Sequence, residues 1–297
     1  MKNKPAFIRG FQSEGEYEEL HKDFNYGFTI FRRGSTVTLS LETDWTKEIG
    51  VLAHRFGVNS VYVARDKYWN RKTLDFLSEL RPLKRISLCL DEALDISIIE
   101  EFSELSSLSI VWRSRLNPPP IDFHKFKGLD ECWITLRPEF ESILGNRRLH
   151  TLVIEGDTYT HSLNLTNLSE LKDLNLVTCQ KMIEFRVNES AKISSLEIMS
   201  SPKLSLDWKL FSPNLQYLCL GGKLGFEISQ ISCLDNLEFL DLREVSKPGS
   251  LEFLSSMKSI KCVRLIDLRA TKEMVSVAKA INFAGGYGSV AMANPFG

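Results

Sequence analysis

The chain has 297 residues, 43% of them hydrophobic and 25% charged, with 17 glycines and 10 prolines. This composition is that of an ordinary globular protein, and it excludes collagen-like, mucin-like and globally disordered chains. Its 37 lysines and arginines nearly balance its 38 aspartates and glutamates, so the net charge of −1 offers no general attraction for nucleic acid or anionic membranes.

The first 57 residues carry no complete copy of the pattern that fills the rest of the chain. Residues 36–41 alternate like a strand, and Ile49, Leu52 and Phe56 recur at helical spacing. We therefore expect residues 1–57 to form an N-terminal cap around a degenerate first repeat. The initial stretch lacks the apolar run of a secretory signal peptide, which predicts a cytoplasmic protein.

From residue 58 to residue 269 one apolar pattern recurs ten times. It consists of an apolar residue, two variable residues, a second apolar residue, one variable residue and a third apolar residue. Successive copies start about 22 residues apart, and 29 of the 30 apolar positions hold Leu, Ile or Val. The copies begin at Val58, Leu83, Leu105, Leu129, Leu149, Leu171, Ile193, Leu215, Leu237 and Ile260.

Each copy predicts one short strand, because its last two apolar positions alternate with variable ones. Upstream of several strands the apolar residues recur at every third position, which is typical of 3₁₀ turns or short helices. These runs are Ile99/Phe102/Leu105, Phe123/Phe126/Leu129, Leu165/Leu168/Leu171, Ile231/Leu234/Leu237 and Leu254/Met257/Ile260. One such unit cannot bury its own apolar side, so we expect the copies to stack on one another.

These motifs resemble those of the leucine-rich repeat family over roughly residues 36–268. The resemblance implies an α/β solenoid, a curved arc with about eleven parallel strands on its concave side and 3₁₀ or short helical segments on its convex side. The sequence departs from the family in one respect, since the asparagine that often follows the strand is absent from all ten copies. We therefore expect irregular turns and uneven curvature.

Residues 270–297 are expected to form a C-terminal capping helix and a flexible tail. Met274, Ala278 and Ile281 recur at helical spacing within residues 271–283, and a glycine-rich run follows them. Such a helix would cover the apolar end of the stack.

Patterns typical of catalysis and metal binding are weak. The five histidines are scattered, and no two of the six cysteines have the spacing of a zinc clip or a redox dithiol. We predict no cofactor, no metal site and no structural disulfide. An enzyme with a cysteine nucleophile, at Cys219 or Cys262, is the disfavoured alternative because the sequence supplies no activating base.

Function is therefore expected on a surface, and the family resemblance favours the concave sheet. In the four repeats between residues 129 and 199 the variable strand positions include four acidic and no basic residues, which predicts a negative patch. The next three repeats present aromatic residues beside arginines, a composition typical of interaction hot spots. The predicted partner-binding residues are Glu131, Trp133, Glu155, Asp173, Glu197, Tyr217, Phe239, Asp241, Arg243 and Arg264. Tyr62, Trp112 and Arg113 are weaker candidates.

The leading hypothesis is a monomeric, non-catalytic protein that binds a basic partner protein on its concave face and contacts neither nucleic acid nor membrane. A narrower version is an inhibitor or immunity protein that occludes a basic toxin or nuclease, similar to the leucine-rich ribonuclease inhibitors. The alternatives are a secreted effector or host-targeting protein of the same fold and, from another class, the cysteine enzyme.

Overall fold

The computed structural model describes residues 17–23, 27–64, 73–92, 94–156, 161–188, 191–267 and 270–286. Within these ranges the chain forms fifteen β-strands, two α-helices and seven 3₁₀ segments. The helices are α1 (Lys47–Phe56) and α2 (Lys272–Ala284). The 3₁₀ segments are Asp75–Leu80, Ser97–Glu101, Phe123–Lys125, Pro138–Gly145, Trp208–Leu210, Ile228–Cys233 and Glu252–Ser256.

Thirteen of the strands form one sheet and follow one another across it in chain order. They are β1 (Glu18–Asp23), β2 (Phe28–Arg33), β3 (Thr36–Leu41), β4 (Ser60–Ala64), β5 (Arg85–Leu90), β6 (Ser107–Trp112), β7 (Glu131–Ile134), β8 (Thr151–Glu155), β10 (Asp173–Val177), β12 (Ser195–Met199), β13 (Tyr217–Gly221), β14 (Phe239–Arg243) and β15 (Cys262–Ile266). The other two, β9 (Ser162–Asn164) and β11 (Glu184–Arg186), pair with each other in a separate parallel sheet.

The eleven strands of the main sheet from β3 onward are all parallel to their neighbours. Corresponding residues of successive repeats lie side by side, so that Leu152, Leu174 and Leu196 align across β8, β10 and β12. The offset between them is the 22-residue period of the sequence. The expected eleven parallel strands are therefore present.

The core lies on one side of this sheet, where the repeated apolar residues form a continuous cluster along its length. Leu174 and Leu176 are fully buried, and Cys132, which replaces a branched aliphatic residue in its repeat, is buried too. Four of the five runs with three-residue spacing pass through 3₁₀ segments. The fifth forms successive turns instead, in which the Leu168 amide donates to the Leu165 carbonyl (3.0 Å).

Two parts of the fold were not anticipated from the sequence. Strands β1 and β2 are antiparallel and extend the main sheet beyond β3. Phe28 and Ile30 of β2 face the core, and Gly34, with φ of 57°, occupies the two-residue turn to β3. Strands β9 and β11 each place one buried residue, Leu163 or Phe185, between two polar ones. Because these residues are 22 positions apart, the two strands meet in adjacent repeats.

Both stretches with helical spacing form helices, and each begins at a threonine, whereas the predicted C-terminal tail after residue 286 lies outside the described residues. The Thr46 side chain accepts a hydrogen bond from the Ile49 amide and starts α1, and the Thr271 side chain accepts one from the Met274 amide and starts α2. Such side-chain caps pair amides that a helix leaves free in its first turn.

Helix α2 covers the last strand of the sheet. The Asn282 side chain, 4% exposed, accepts a hydrogen bond from the Val263 amide (2.7 Å) and donates one to the Val263 carbonyl (3.0 Å). Both backbone groups would otherwise pair with a further strand. The side-chain amide of Asn282 therefore takes the place of a twelfth parallel strand at this edge.

Each main-sheet strand from β8 to β15 is followed by a residue with positive φ. These residues are Gly156, Thr178, Ser200, Gly222, Glu244 and Asp267, with φ between 49° and 82°. Four of the six have side chains, which this left-handed conformation disfavours. The chain turns in the same way at the end of each strand, even where no glycine is available.

Candidate functional site

Alternate residues of the parallel strands point away from the core and form a surface that we name the open face. Each strand contributes residues before, between and after its two buried apolar positions. The middle positions lie in register as one row, which is Tyr62, Ser87, Ser109, Trp133, Val153, Asn175, Glu197, Cys219, Asp241 and Arg264. All ten predicted partner-binding residues lie on the open face. Nine are partly exposed, whereas Asp241 is only 1% exposed.

Asp241 is the centre of a hydrogen-bonded group at the C-terminal end of the open face. The Tyr217 hydroxyl donates to Asp241 Oδ2 (2.8 Å), and Arg243 Nη2 donates to the same oxygen (2.9 Å). Arg264 donates to both carboxylate oxygens through Nε and Nη2. Strands β13, β14 and β15 are consecutive, so their register brings the four side chains together. We name these four residues the Asp241 cluster.

The surroundings of Tyr217 and Arg264 keep these two side chains in the protonated forms that donate hydrogen bonds. Burial raises the pKa of the Tyr217 hydroxyl, and the nearby Asp241 carboxylate raises it further, so the phenol stays protonated as a donor. The hydrogen bonds to Asp241 raise the pKa of Arg264 despite its partial burial. The buried carboxylate is thus paired with two cations and one hydroxyl, which offsets its loss of solvation.

The acidic part of the open face is less negative than the sequence predicted. Arg85 Nη1 lies 3.7 Å from Glu131 Oε2, and Arg113 Nη2 lies 3.9 Å from Glu155 Oε1. Glu155 also accepts a hydrogen bond from Trp133 Nε1 (2.9 Å). The prediction counted only residues 129–199, and both arginines come from earlier repeats. Two of the four predicted acidic residues therefore have basic neighbours.

Asp173 and Glu197 remain as the acidic centre of the open face. Neither forms a salt bridge with another residue that the structure describes. The Thr151 hydroxyl lies 3.5 Å from Asp173 Oδ2. Burial raises the pKa of the Glu197 carboxyl, an effect that Arg243 opposes and Asp241 reinforces. Of the four predicted acidic residues, the two without a salt bridge to a described residue thus lie on β10 and β12, next to the Asp241 cluster.

The cysteines are all free thiols, and five of them lie where the protonated form is favoured. Burial, with Glu197 nearby, raises the pKa of Cys219 to about 12, and burial also raises the pKa of Cys262. The pKa is likewise raised by burial at Cys89, Cys132 and Cys233. A catalytic thiol needs a lowered pKa, so these environments give no support to a cysteine nucleophile. Among the described residues no group of three His, Cys, Asp or Glu side chains could bind a metal ion.

Two serines of the middle row were missed by the sequence analysis. Ser87 is 6% exposed and Ser109 is 1% exposed, and neither hydroxyl oxygen has a hydrogen-bond partner. Tyr62 and Trp133 flank this pair in the row. The signal was available, because the repeat pattern assigns both serines to the same strand position as Trp133.

Comparisons with known proteins give no family assignment: a scan against protein-family models finds no match, and a search of curated proteins finds no similar sequence. In the described part of the chain, neither α-helix combines the length and apolar character needed to cross a bilayer.

Proposed function

We propose that this chain is a leucine-rich repeat protein that binds a partner protein on its open face without catalysing a reaction. The register of eleven parallel strands, whose neighbours are offset by 20–25 residues, supports the repeat assignment, together with the apolar pattern that specifies it. Repeat proteins of this kind present long uniform surfaces, and such surfaces are used for binding.

The observation that carries the proposal is the Asp241 cluster. A buried ion network is costly to desolvate, and replacing one with apolar residues is often neutral or stabilising. This network lies on the face of the sheet opposite the core, so the packing of the apolar core does not involve it. It holds Tyr217, Arg243 and Arg264 in defined positions beside Phe239. Tyrosine and arginine are the residue types enriched in hot spots, and fixing them beforehand lowers the entropy lost on binding.

The acidic centre at Asp173 and Glu197 favours a basic partner. Partner lysines or arginines would meet two carboxylates that have no basic ion-pair partner among the described residues. The arginines of the Asp241 cluster already share a carboxylate, so they attract an acidic partner less. Within this class we favour a cytoplasmic, monomeric inhibitor or immunity protein for a basic toxin or nuclease. A secreted effector of the same fold is the alternative.

The test uses the purified chain to capture partners from a lysate, with a matched pair of variants. Phe239→Ala together with Tyr217→Ala removes two aromatic side chains from the open face. Phe283→Ala together with Ile183→Ala removes two exposed apolar side chains that lie outside it. The proposal predicts that the same captured protein is lost with the first pair and kept with the second. Capture that is kept with the first pair and lost with the second would refute the open face as the binding surface.

Kinetics then separate the two parts of the surface. Charge reversal at Asp173 and Glu197 should slow association and weaken its dependence on salt, because surface charges mainly steer encounter. Truncation of Tyr217 or Phe239 should instead accelerate dissociation, since anchors in a desolvated interface act mainly on the off-rate. Unchanged rates in both sets of variants would count against the proposal.

A further inference from the structure

A second feature of the open face, at its N-terminal end, is a pair of small residues between two large aromatic ones. Strands β4, β5, β6 and β7 place Tyr62, Ser87, Ser109 and Trp133 side by side in the middle row. We name the space between the two rings, above the two serines, the serine slot. It lies several strands from the Asp241 cluster and shares no residue with it.

The serine hydroxyls have no internal role. Each points away from the core, because Ile86 and Leu108 occupy the core-facing positions next to them. Both hydroxyl oxygens are shielded from solvent, and neither has a hydrogen-bond partner. Buried polar groups are nearly always paired in native proteins, because an unpaired one destabilises the fold. Ser87 and Ser109 occupy equivalent positions on adjacent strands, and both hydroxyls are unpaired. This points to a ligand that supplies the missing hydrogen-bond donors.

The dimensions of the serine slot suit one planar group. Neighbouring strands are about 4.8 Å apart, so the backbones of β4 and β7 are separated by about 14 Å. A flat group held between two rings has contacts of about 3.5–4.0 Å on each side, so the side chains of Tyr62 and Trp133 must extend toward each other over the serines to hold it. The indole Nε1 of Trp133 donates to Glu155 on the neighbouring strand β8, so binding requires the Trp133 ring to turn toward the serines.

The surroundings of the serine slot favour a donor-rich cation. Serine oxygens accept hydrogen bonds, and aromatic faces attract cations. Glu131 precedes Trp133 on β7 with one residue between them, and Glu155 accepts the Trp133 indole hydrogen bond. The distances of 3.7 and 3.9 Å from Glu131 to Arg85 and from Glu155 to Arg113 exceed that of a direct hydrogen bond. These four charges cancel, so the two ion pairs give the serine slot no selectivity, which must come from stacking and hydrogen bonding.

We propose that the serine slot binds an arginine side chain of the partner protein, stacked between Tyr62 and Trp133 and donating hydrogen bonds to Ser87 and Ser109. Arginine fits because its guanidinium is planar, carries five donors and is weakly hydrated, whereas the lysine ammonium has no face to stack. This inference rests on the proposed function, since it names one side chain that the open face would receive.

The experiment needs no partner. The probe is the capped peptide Ala-Ala-Arg-Ala-Ala, titrated into the full chain while the indole N–H signals are followed by NMR. The Trp133 signal is assigned by its loss in Trp133→Phe. The arginine peptide should shift this signal in a saturable way, and the peptides with lysine or citrulline at the centre should bind at least about fivefold more weakly, a difference of about 1 kcal/mol.

The serines provide the decisive variant. Ser87→Ala with Ser109→Ala should weaken the arginine peptide about tenfold and at the same time raise the melting temperature, because both unpaired hydroxyls are removed. Ser195→Ala, a change at an open-face serine outside the slot, should leave binding unaltered. Absence of a Trp133 shift, equal binding of the lysine peptide, or unchanged binding by the double variant would overturn the serine slot. The proposed function would survive such a result, since it is tested at Tyr217 and Phe239.

Discussion

Substitution of Asn282 by alanine tests whether the last strand of the sheet depends on a side chain for its hydrogen-bond pairing. Its amide group satisfies both the N–H and the C=O of Val263, and both residues are buried. In Asn282→Ala the two backbone groups lose their partners, at about 1–3 kcal/mol for each group left buried. Alanine recovers roughly 0.5 kcal/mol through its higher helix propensity. The expected net loss is about 1.5–5.5 kcal/mol.

The loss should be local, because each repeat in a stacked array contacts only its neighbours. Helix α2 and β15 should open before the rest of the chain, so hydrogen exchange of the Val263 amide is the most direct assay. Its protection should fall by about two orders of magnitude, and urea denaturation should show the C-terminal end unfolding earlier.

The matched control is Asn236→Ala. The exposed Asn236 side chain donates to the Ser212 and Pro213 carbonyls, which water can reach once the side chain is gone. Its loss should cost less than about 1 kcal/mol. Equal destabilisation by the two variants, with unchanged exchange at Val263, would refute the view that Asn282 replaces a strand.

Three further predictions concern the open face, a turn and the core. Burial holds the pKa of Glu197 above its unfolded value, so the ionised form destabilises the fold at neutral pH. Glu197→Gln should therefore raise the melting temperature at pH 7, and this gain should vanish as the pH falls below about 4.5, where the carboxyl is protonated in both states. Gly222→Ala should destabilise the chain by about 2 kcal/mol in urea, because φ is 64° and an added Cβ would lie 2.1 Å from Ser200 Oγ; part of this loss should disappear in a Ser200→Ala background. Leu218→Asp places an unpaired charge in the core and should cost several kcal/mol, and a cooperative melt at the unchanged temperature would contradict the repeat assignment.

Much of the fold follows from local spacing. The recurrence of three apolar residues predicts ten parallel strands, the alternation at residues 36–41 predicts the eleventh, and helical spacing predicts α1 and α2. The pairs β1–β2 and β9–β11 were missed because they lie outside the repeated motif. Their own alternation spans only three to six residues, too few to stand out from irregular chain.

The open face was only partly predictable for a different reason. The alternation of residues along each strand shows which side chains lie on the open face, and all ten predicted residues do lie there. The alternation does not show which of these side chains are in contact. Arg85 reaches Glu131 across the intervening strand, and two arginines close over Asp241. These contacts depend on side-chain length and rotamer, which a pattern of residue types does not specify.

Because the parallel strands are regularly spaced, residues on the open face lie at distances set by the number of strands between them. Trp133 on β7 and Asp241 on β14 are separated by five strand intervals, or about 24 Å. Adding or removing one whole repeat between them would change that distance by one step of about 4.8 Å and leave the residues at both ends intact. The spacing between the serine slot and the Asp241 cluster is thus adjustable in fixed increments, and a partner with two contact points would select the number of repeats between them.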